Sequence, residues 1–403
     1  MTPAVREALR RGEKVFPFLN VEWRARGKDL GEAIYAPGGT VMAAAVPALG
    51  KVPLGGFSAI NYGSGIKGGT LQVARGTVKV EDVDQVIASM LETYDPRGSV
   101  ARICWATADM LPADWDVKLL GVIEDWIIVD RVVELLVKTD DAPLRAPCPK
   151  PIFSRSDDPT AVEAAIYGTA HALVFGEHDS FKVTARGMVP ATNIAYDDVL
   201  GFKWEVSLGN FGVDRVYFDG ELKEPGIYSI ATGVFGGVYR TIVDVATESK
   251  PEKGTIVSVD GRGPDEDGGL SGPPITNPIR IARVILNEYV YRDNRTGNFG
   301  ADVPEIDTAT WDAIEAYFAL HGYRGSLRIG GEGDRPEAYK VLESLLSAHQ
   351  FLRLWWTPAG KIAIGIVSYE DVDPTGTWVR ADLTTSAKDF RYLPGDRREV
   401  YSG

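Results

Sequence analysis

The apolar residues in the first third of the chain mainly follow the pattern of β-strands. Residues 70–80 alternate in part between apolar and polar side chains, as half-buried strands do. Strand signals follow at 100–106 and in 117–139, an apolar run rich in β-branched residues. Charged residues at 124–125 and 130–131 interrupt this run, so it predicts two or more antiparallel strands.

One helical pattern lies within this block, at residues 82–94. Asp82 is a suitable N-cap, and Pro96 ends the segment because the residue before a proline disfavours helical backbone. The predicted apolar face consists of Val83, Val86, Ile87, Met90 and Leu91.

A proline-rich segment separates this block from a second one. Five prolines within 142–159 predict an extended connector or a boundary, because proline donates no backbone hydrogen bond. The block at 160–262 again shows strands and turns, and the glycine-rich, acidic stretch 261–274 predicts a second boundary or an exposed loop. Strands are predicted at 213–218, before a hairpin turn at Asp219-Gly220, and at 227–232, 241–245 and 255–260.

From residue 277 the pattern becomes mixed. Asn277 is predicted to cap a helix that has Pro278 at its first position and continues through Ile281, Ile285 and Tyr289. A second helix is predicted at 308–320, with Asp307 as its cap, Gly322 just past its end, and Trp311, Ile314, Tyr317 and Phe318 on one side.

The remaining C-terminal signals are a strand, a helix and a hairpin. A short strand is predicted at 326–329, and Asp334 with Glu337 predicts a capping box. The helix that follows carries Val341, Leu342, Leu345 and Leu346. Residues 351–356 and 362–367 flank a turn at 358–360 and predict a β-hairpin. The polar stretch from 371, with one strand candidate near Trp378, predicts an arm.

Together these patterns predict an α+β protein that is mainly β. The 403 residues suffice for two to four domains. We expect a first β-rich domain at 1–150, a second at 151–270, an α/β domain with helices packed on a small sheet at 275–370, and a C-terminal arm at 371–403.

Composition and charge exclude several classes of protein. With 43 basic and 56 acidic residues the net charge is −13, which argues against a protein that grips nucleic acid through its phosphates. Cys104 and Cys148 belong to no metal-binding or redox motif, so we expect folding in a reducing cytoplasm without disulfides. We expect no signal peptide and no membrane-spanning segment, because no apolar run is long enough.

Two short motifs resemble ligand sites, and each has an ordinary structural explanation. Residues 63–68 match the glycine spacing of dinucleotide sites, but the residues that follow alternate like a strand, whereas such a site needs a helix there. Asp265, Glu266 and Asp267 resemble part of a calcium loop without the spacing of an EF-hand, so we expect a solvated loop.

The four histidines offer few ligands for a metal. His171 and His178, the second beside Asp179 and Ser180, could belong to a hydrolytic triad or a metal site, but ordinary hydrogen bonding explains them better. The other two are His349 and His321, which lies at the end of a predicted amphipathic helix, where a cation favours the helix dipole.

Trp355 and Trp356 are adjacent on a predicted strand, so their rings should face opposite sides. One ring can fill a core while the other reaches a subunit or a ligand, and a core covered on both faces explains them equally well. No residue is assigned as catalytic, cofactor-binding or metal-binding, and we expect that the protein is not an enzyme.

The order of these segments resembles the tail hub, or tail-tip (baseplate hub), proteins of bacteriophages. Residues 119–128 and 132–141 are similar to the first barrel of that family, and 213–223 are similar to the second. The C-terminal part of the resemblance consists of NPIRIARVILNEY (277–289), EIDTATWDAIEAYFALHGY (305–323) and EAYKVLESLLSAHQFLRLWWTPAGKIAIGIV (337–367).

The resemblance implies two tube-forming β-barrel-like domains per subunit and a homotrimer that continues the tail tube as a ring. It implies a structural virion protein at the distal end of the tail, synthesised in the host bacterial cytoplasm. The implied partners are the distal tail protein, the tape measure protein and a tail spike or fibre protein, while genome DNA would pass through the ring without specific binding. Receptor binding and peptidoglycan cleavage are expected in a partner.

Two alternatives stay open. The first is the distal tail protein, a hexameric ring, although the helical C-terminal region disfavours it. The second is a glycan-binding or carbohydrate-active tail protein, which the nine tryptophans and many carboxylates would suit.

Overall fold

A computed structural model shows a mainly β fold with helices, which confirms the predicted α+β class. It describes residues 1–25, 28–37, 52–53, 55–61, 65–67, 70–153, 166–182, 187–197, 201–331, 336–347 and 352–366. The chain divides into a first unit (1–141, 305–307 and 353–403) and a second unit (142–304 and 308–352), and each is described by itself. The four-segment division stays a prediction.

A six-stranded antiparallel sheet is the main element of the first unit. The unit contains α1 (Pro3–Arg10), β1 (Phe16–Ala25), β2 (Lys28–Tyr35), β3 (Gly65–Lys67), β4 (Thr70–Gln72), β5 (Arg75–Glu81), α2 (Val86–Thr93), β6 (Val100–Ala106), β7 (Asp116–Val129) and β8 (Val132–Lys138). The strand order is β2-β1-β6-β7-β8-β5, and β3 pairs with β4. The pattern at 70–80 therefore contains two strands, β4 and β5.

The six-stranded sheet curls into half a barrel around one apolar core. Every strand contributes inward side chains to that core, and Ile87 and Leu91 of α2 join them. Residues outside the strands add two isolated β-bridges, one from Phe57 to Val78 of β5 and one from Pro37 to Val52. The alternating pattern predicts one buried face per strand, but β1 and β6 bury both faces, because apolar side chains of their other face form a second cluster with Trp115.

Strand β7 continues through the charged positions 124–125, so the predicted break there is wrong. A β-bulge between Ile123 and Asp125 shifts the register of β7 against β8 instead, which lets the strand bend without ending. The predicted break at 130–131 is confirmed as the turn between β7 and β8. There Asp130 has a φ of 54°, the left-handed conformation that two-residue hairpin turns require.

Helix α2 confirms the predicted helix but starts later. Both carboxylate oxygens of Asp82 accept hydrogen bonds from its first turn, from the amides of Ile87 at 3.1 Å and Ala88 at 2.7 Å. Val83 and Val86 are exposed, so their place on the predicted buried face is wrong. Val83 precedes the helix and Val86 is its first residue.

Two packed sheets form most of the second unit. Its elements are α3 (Ala142–Arg145), β9 (Leu173–Phe175), β10 (Glu177–His178), β11 (Val189–Pro190), β12 (Thr192–Asp197), β13 (Gly201–Leu208), β14 (Gly212–Phe218), β15 (Glu221–Leu222), β16 (Tyr228–Phe235), β17 (Val238–Val245), β18 (Val257–Arg262), α4 (Pro278–Val284), α5 (Thr308–Leu320), β19 (Leu327–Ile329) and α6 (Ala338–Ser347). One sheet has the order β12-β13-β17-β16 and the other β10-β18-β14-β15, with β11 also on β18. Both sheets contribute to one core, which includes Trp204 and Val259.

The strands predicted in this region are confirmed. Asp219 and Gly220 form the turn between β14 and β15, both with positive φ. The patterns at 227–232, 241–245 and 255–260 fall within or overlap β16, β17 and β18.

The helices of the second unit begin and end close to the predicted signals. The side chain of Asn277 accepts from the amide of Ile279 at 3.0 Å, and α4 continues as a π-helix over Ile285–Tyr291. Helix α5 buries Trp311, Ile314 and Phe318, and Gly322 beyond it has a φ of 68°. Asp334 of the predicted capping box lies outside the described residues. Among the helices of the described ranges, none is long and apolar enough to cross a membrane.

The predicted C-terminal hairpin is confirmed as β20 (Leu352–Trp356) and β21 (Ile362–Ile366). Trp356 is buried and Trp355 is partly exposed, as expected for neighbours that face opposite sides of a strand. The predicted arm at 371–403, including Trp378, lies outside the described residues.

Candidate functional site

Three ionisable side chains meet in the interior of the second unit. Glu205 of β13 lies with its Oε2 2.8 Å from His171 Nδ1 and 3.2 Å from an η-nitrogen of Arg240 on β17. The amide of Ala172 donates to the other carboxylate oxygen at 3.2 Å. Each of the three side chains is at most 2% exposed, so they form a buried charge cluster.

The environment of this cluster favours a charged carboxylate. Burial alone would raise the pKa of Glu205, but His171 and Arg240 outweigh burial and hold that pKa below its usual value. The ring of Phe153 lies 3.9 Å from the ring of His171. The other ring nitrogen of His171, Nε2, has no hydrogen-bond partner within the described part of the chain. The cluster therefore contains a charged pair but not the nucleophile that a hydrolytic triad needs.

A second buried carboxylate, Asp260 of β18, holds the residues after β10. Ser180 donates to it from its hydroxyl at 2.7 Å and from its amide at 3.0 Å. Tyr217 donates to it at 2.7 Å, and an η-nitrogen of Arg215 lies 3.0 Å away. Four donated contacts satisfy this fully buried group, which ties β18, β14 and the turn after β10 together.

The residues considered for a triad are thus distributed over separate contacts. His171 contacts Glu205, and Asp179 pairs with Arg215. The two ring nitrogens of His178 lie 3.3 Å and 3.1 Å from the carbonyl oxygens of Gly187 and Phe175. Since the Ser180 hydroxyl bonds to Asp260, the structure does not bring serine, histidine and carboxylate together in catalytic order.

A cleft of about 340 Å³ opens beside this region. Its lining includes the acidic residues Glu177, Asp179 and Asp214 and the basic residues Lys182, Arg262 and Arg324. Part of that charge is already paired, because Lys182 binds Glu177 and Arg262 donates to a backbone carbonyl. Among its lining residues in the described segments, His178 contributes an imidazole ring, and none is a phenylalanine, tyrosine or tryptophan.

The acidic loop at 265–267 is built around its first carboxylate. Asp265 is buried and accepts from the amides of Gly272, Gly269 and Asp267 at 2.8, 2.7 and 3.2 Å and from the Ser271 hydroxyl at 3.2 Å. These hydrogen bonds, that of Gly272 first, lower the pKa of Asp265. Since N–H and O–H donors surround it, this carboxylate is no cation ligand, and the prediction of an exposed loop is wrong at Asp265.

The other candidates are placed as follows. Residues 65–67 and 70–72 are strands, so no helix follows the glycine motif, whose remaining residues 63, 64 and 68 lie outside the described chain. His321 is exposed just after α5, with its ring 4.4 Å from that of Tyr317, and His349 is outside the described residues. No group of three or more potential metal ligands occurs within the described ranges.

Cys104 and Cys148 are free and fully buried. Burial raises the pKa of each thiol to about 12. Both sulfurs are therefore protonated at neutral pH, and a protonated thiol is a poor nucleophile and metal ligand.

A cluster around Arg283 was not foreseen from the sequence. This residue of α4 lies 3.0 Å from Asp302, 2.7 Å from Asp312 and 3.1 Å from Glu315, so it links α4 to α5 and to the loop before it. The hydrogen bond from Arg283 is the main cause that lowers the pKa of Asp302 to about 2. The available signal was an arginine among the buried positions of the apolar helix at 277–289.

Comparison with known proteins shows no family for this chain. No family model matches it. A stretch of 113 residues, 28% of the chain, is 31% identical to complement C1q tumor necrosis factor-related protein 5 of Rattus norvegicus and spans about two fifths, 39%, of that protein. A chain from the virion of a native gene transfer agent particle is similar in structure at 13% identity and a TM-score of 0.27, over 67% of this chain and 85% of that one. With so low a score and so short a match, the chain is similar to both proteins and is assigned to neither family.

Proposed function

We propose that the protein is a structural component of a bacteriophage tail tip and not an enzyme. In this role it is a trimeric hub that closes the tail tube and joins it to the distal tail protein and to a spike or fibre. The order of elements is the observation that carries the proposal. A half-barrel sheet is followed by two packed sheets, then by helices α4 to α6, and then by the hairpin β20-β21, which is the order that the resemblance to tail hubs implies.

The buried charges support a role in assembly over one in catalysis. Glu205, Asp260 and Arg283 are each bonded to side chains of neighbouring elements, so their charge fixes packing. A hub must hold one shape while it meets a six-fold tube on one side and a three-fold spike on the other. The net charge of −13 is compatible with a lumen past which DNA slides without binding.

Exposed apolar side chains on the first unit also suit an assembly. Ile127 and Val129 at the end of β7 are 57% and 59% exposed, and Val83 and Val86 are exposed to a similar degree. Val83 lies close to the turn between β7 and β8, because the amide of the preceding residue, Asp82, donates to the carbonyl of Arg131 in that turn at 2.7 Å. Apolar surface of this kind is typical of subunit contacts.

Copy number tests the proposal. We expect three copies of the full chain per particle, counted by native mass spectrometry of the purified protein and by cryo-electron microscopy of assembled tails. Six copies per tail would select the distal tail ring instead. A monomer in both measurements would overturn the hub.

A glycan array tests the carbohydrate alternative with the same protein. We expect no glycan to bind above background, because no phenylalanine, tyrosine or tryptophan of the described segments lines the cleft. Specific binding that a single substitution in the cleft abolishes, for example Asp214→Asn, would favour the carbohydrate-binding alternative.

A further inference from the structure

Strand β16 is an exposed sheet edge without charge. Its sequence, YSIATGVF, contains neither a charged residue nor a proline. It pairs with β17 over all eight residues, and it ends the strand order β12-β13-β17-β16. Ile230 is 38% exposed and Val234 is 65% exposed.

The other edges of the three larger sheets are protected in the usual way. Soluble proteins place charges, prolines or very short strands at sheet edges, because an unpaired backbone recruits another strand. Among the described edge strands, β2, β5, β10, β12 and β15 each carry at least one charged residue, and β11 contains Pro190. The lack of protection at β16 therefore indicates an edge that is paired in the assembled protein.

The backbone of β16 has one hydrogen-bonded side and one open side. Its two-residue turn at Gly236-Gly237 makes Phe235 and Val238 the first hydrogen-bonded pair of the ladder. Hydrogen bonding then alternates, so every second residue directs its N–H and C=O away from β17. These residues are Tyr228, Ile230, Thr232 and Val234. No other described segment pairs with their backbone groups.

The chain itself contains a segment whose sequence pattern predicts a strand of matching length. Residues 367–403 lie beyond the described part, and within 378–384 (WVRADLT) apolar and polar residues alternate from 379 to 384, which predicts Val379, Ala381 and Leu383 on one side. The seven residues of this segment are close in number to the eight of β16. Its three apolar side chains are enough to cover Ile230 and Val234. The eleven residues 367–377 that precede this segment can span about 36 Å when extended.

We infer that residues 378–384 of a second copy of the chain add to the open edge of β16. The inference deepens the hub proposal and rests on it for the ring. A donor arm and an acceptor edge from different parts of the chain join copies head to tail, and such contacts form a ring where their rotation closes. Addition of a strand satisfies the outward backbone groups of β16 and buries its exposed apolar side chains. The arm is thus assigned as the connector between subunits.

Cross-linking between differently labelled copies tests the inference. Full-length Thr232→Cys and isotope-labelled full-length Ala381→Cys, the central residues of the two apolar faces, are mixed and treated with a short bis-maleimide. The native thiols are buried and do not compete. We expect a 232–381 cross-link between a labelled and an unlabelled chain, identified by mass spectrometry. The matched control, Glu221→Cys on the charged edge β15, should give at least tenfold less.

A second variant tests whether the cross-link depends on strand addition at β16. Val234→Lys adds a charge at an exposed position of β16 and should lower the yield of the 232–381 cross-link at least threefold while the circular dichroism spectrum is unchanged. Cross-linking only within one chain, or none at all, would overturn the inference. Three copies per particle without this cross-link would contradict the strand addition but agree with the trimeric hub. The cross-link in a particle of another copy number would support the strand addition and contradict the trimeric hub.

Discussion

At the scale of single residues, the second unit depends on charges that have been removed from water. Glu205 and Arg240 are at most 1% exposed, and burying either one alone would be strongly unfavourable. They are tolerated because each contacts the other and because His171 and a backbone amide complete the coordination of the carboxylate. Removing one charged partner is therefore expected to destabilise the protein more than replacing both partners by apolar residues.

Glu205→Ala removes the buried carboxylate that both Arg240 and His171 contact. We expect the free energy of unfolding to fall by about 3–5 kcal/mol, measured from urea denaturation followed by tryptophan fluorescence. Glu221→Ala is the matched control, because it removes an exposed carboxylate that pairs with Lys223. It should change the free energy by less than about 0.5 kcal/mol. Equal effects of the two substitutions would contradict a special role for the buried cluster.

Asp302 makes stability sensitive to acid. Its pKa is about 2 in the folded protein against a usual value of 3.8, so the folded state favours the charged form. The resulting stabilisation is complete above about pH 4 and is lost as the pH falls towards 2. Between pH 4 and pH 2 we expect the free energy of unfolding of Asp302→Asn to fall by about 1 kcal/mol less than that of the wild type. This value is smaller than the full pKa shift would give, because solvent screens the partly exposed Asp302–Arg283 pair. Urea midpoints at constant ionic strength measure this, and Asp293→Asn, from an exposed pair with Arg295, should keep the wild-type response.

At the scale of elements, signals carried by neighbouring residues were reliable and signals that needed distant partners were not. The break between strands at 130–131, the cap at Asn277 and Gly322 after α5 are local signals, and each is predicted from the sequence. The break at 124–125 was predicted wrongly, because pairing with β8 absorbs the charges in a bulge. Glu205 and His171 are 34 residues apart, so only the fold reveals their contact.

The cap of α2 tests one such local signal. Asp82→Ala removes the acceptor for the amides of Ile87 and Ala88 in a buried position, so we expect a loss of about 1–2 kcal/mol in the free energy of unfolding. Thermal unfolding followed by circular dichroism measures the change. Asp84→Ala alters an exposed carboxylate two residues away and should be nearly neutral. If Asp84→Ala destabilised the protein as much, the cap would not be the cause.

At the scale of the whole molecule, each unit has an apolar core of its own. The first core includes Leu135 of β8, and the second includes Phe211, both at most 1% exposed. A chain with separate cores need not unfold in one cooperative step. The mainly β class and the element order could be predicted from the sequence, but this grouping into units could not, because it depends on packing between distant segments.

Calorimetry should therefore show two unfolding transitions. We expect Leu135→Ala to lower the midpoint of one transition by several degrees and Phe211→Ala to lower the other, because each truncation leaves a cavity in one core. A single transition that both substitutions shift equally would indicate one cooperative unit.

The two buried thiols also allow local opening of the protein to be measured without an added cysteine. Cys104 belongs to the first unit and Cys148 to the second, and neither sulfur can be alkylated until its surroundings open. Pulsed labelling with a thiol reagent, followed by peptide mapping, would thus give an opening rate for each half of the chain from one unmodified sample. If both rates fall on incorporation into a tail, assembly tightens both halves, and if one falls alone, the contacts that matter lie in that half.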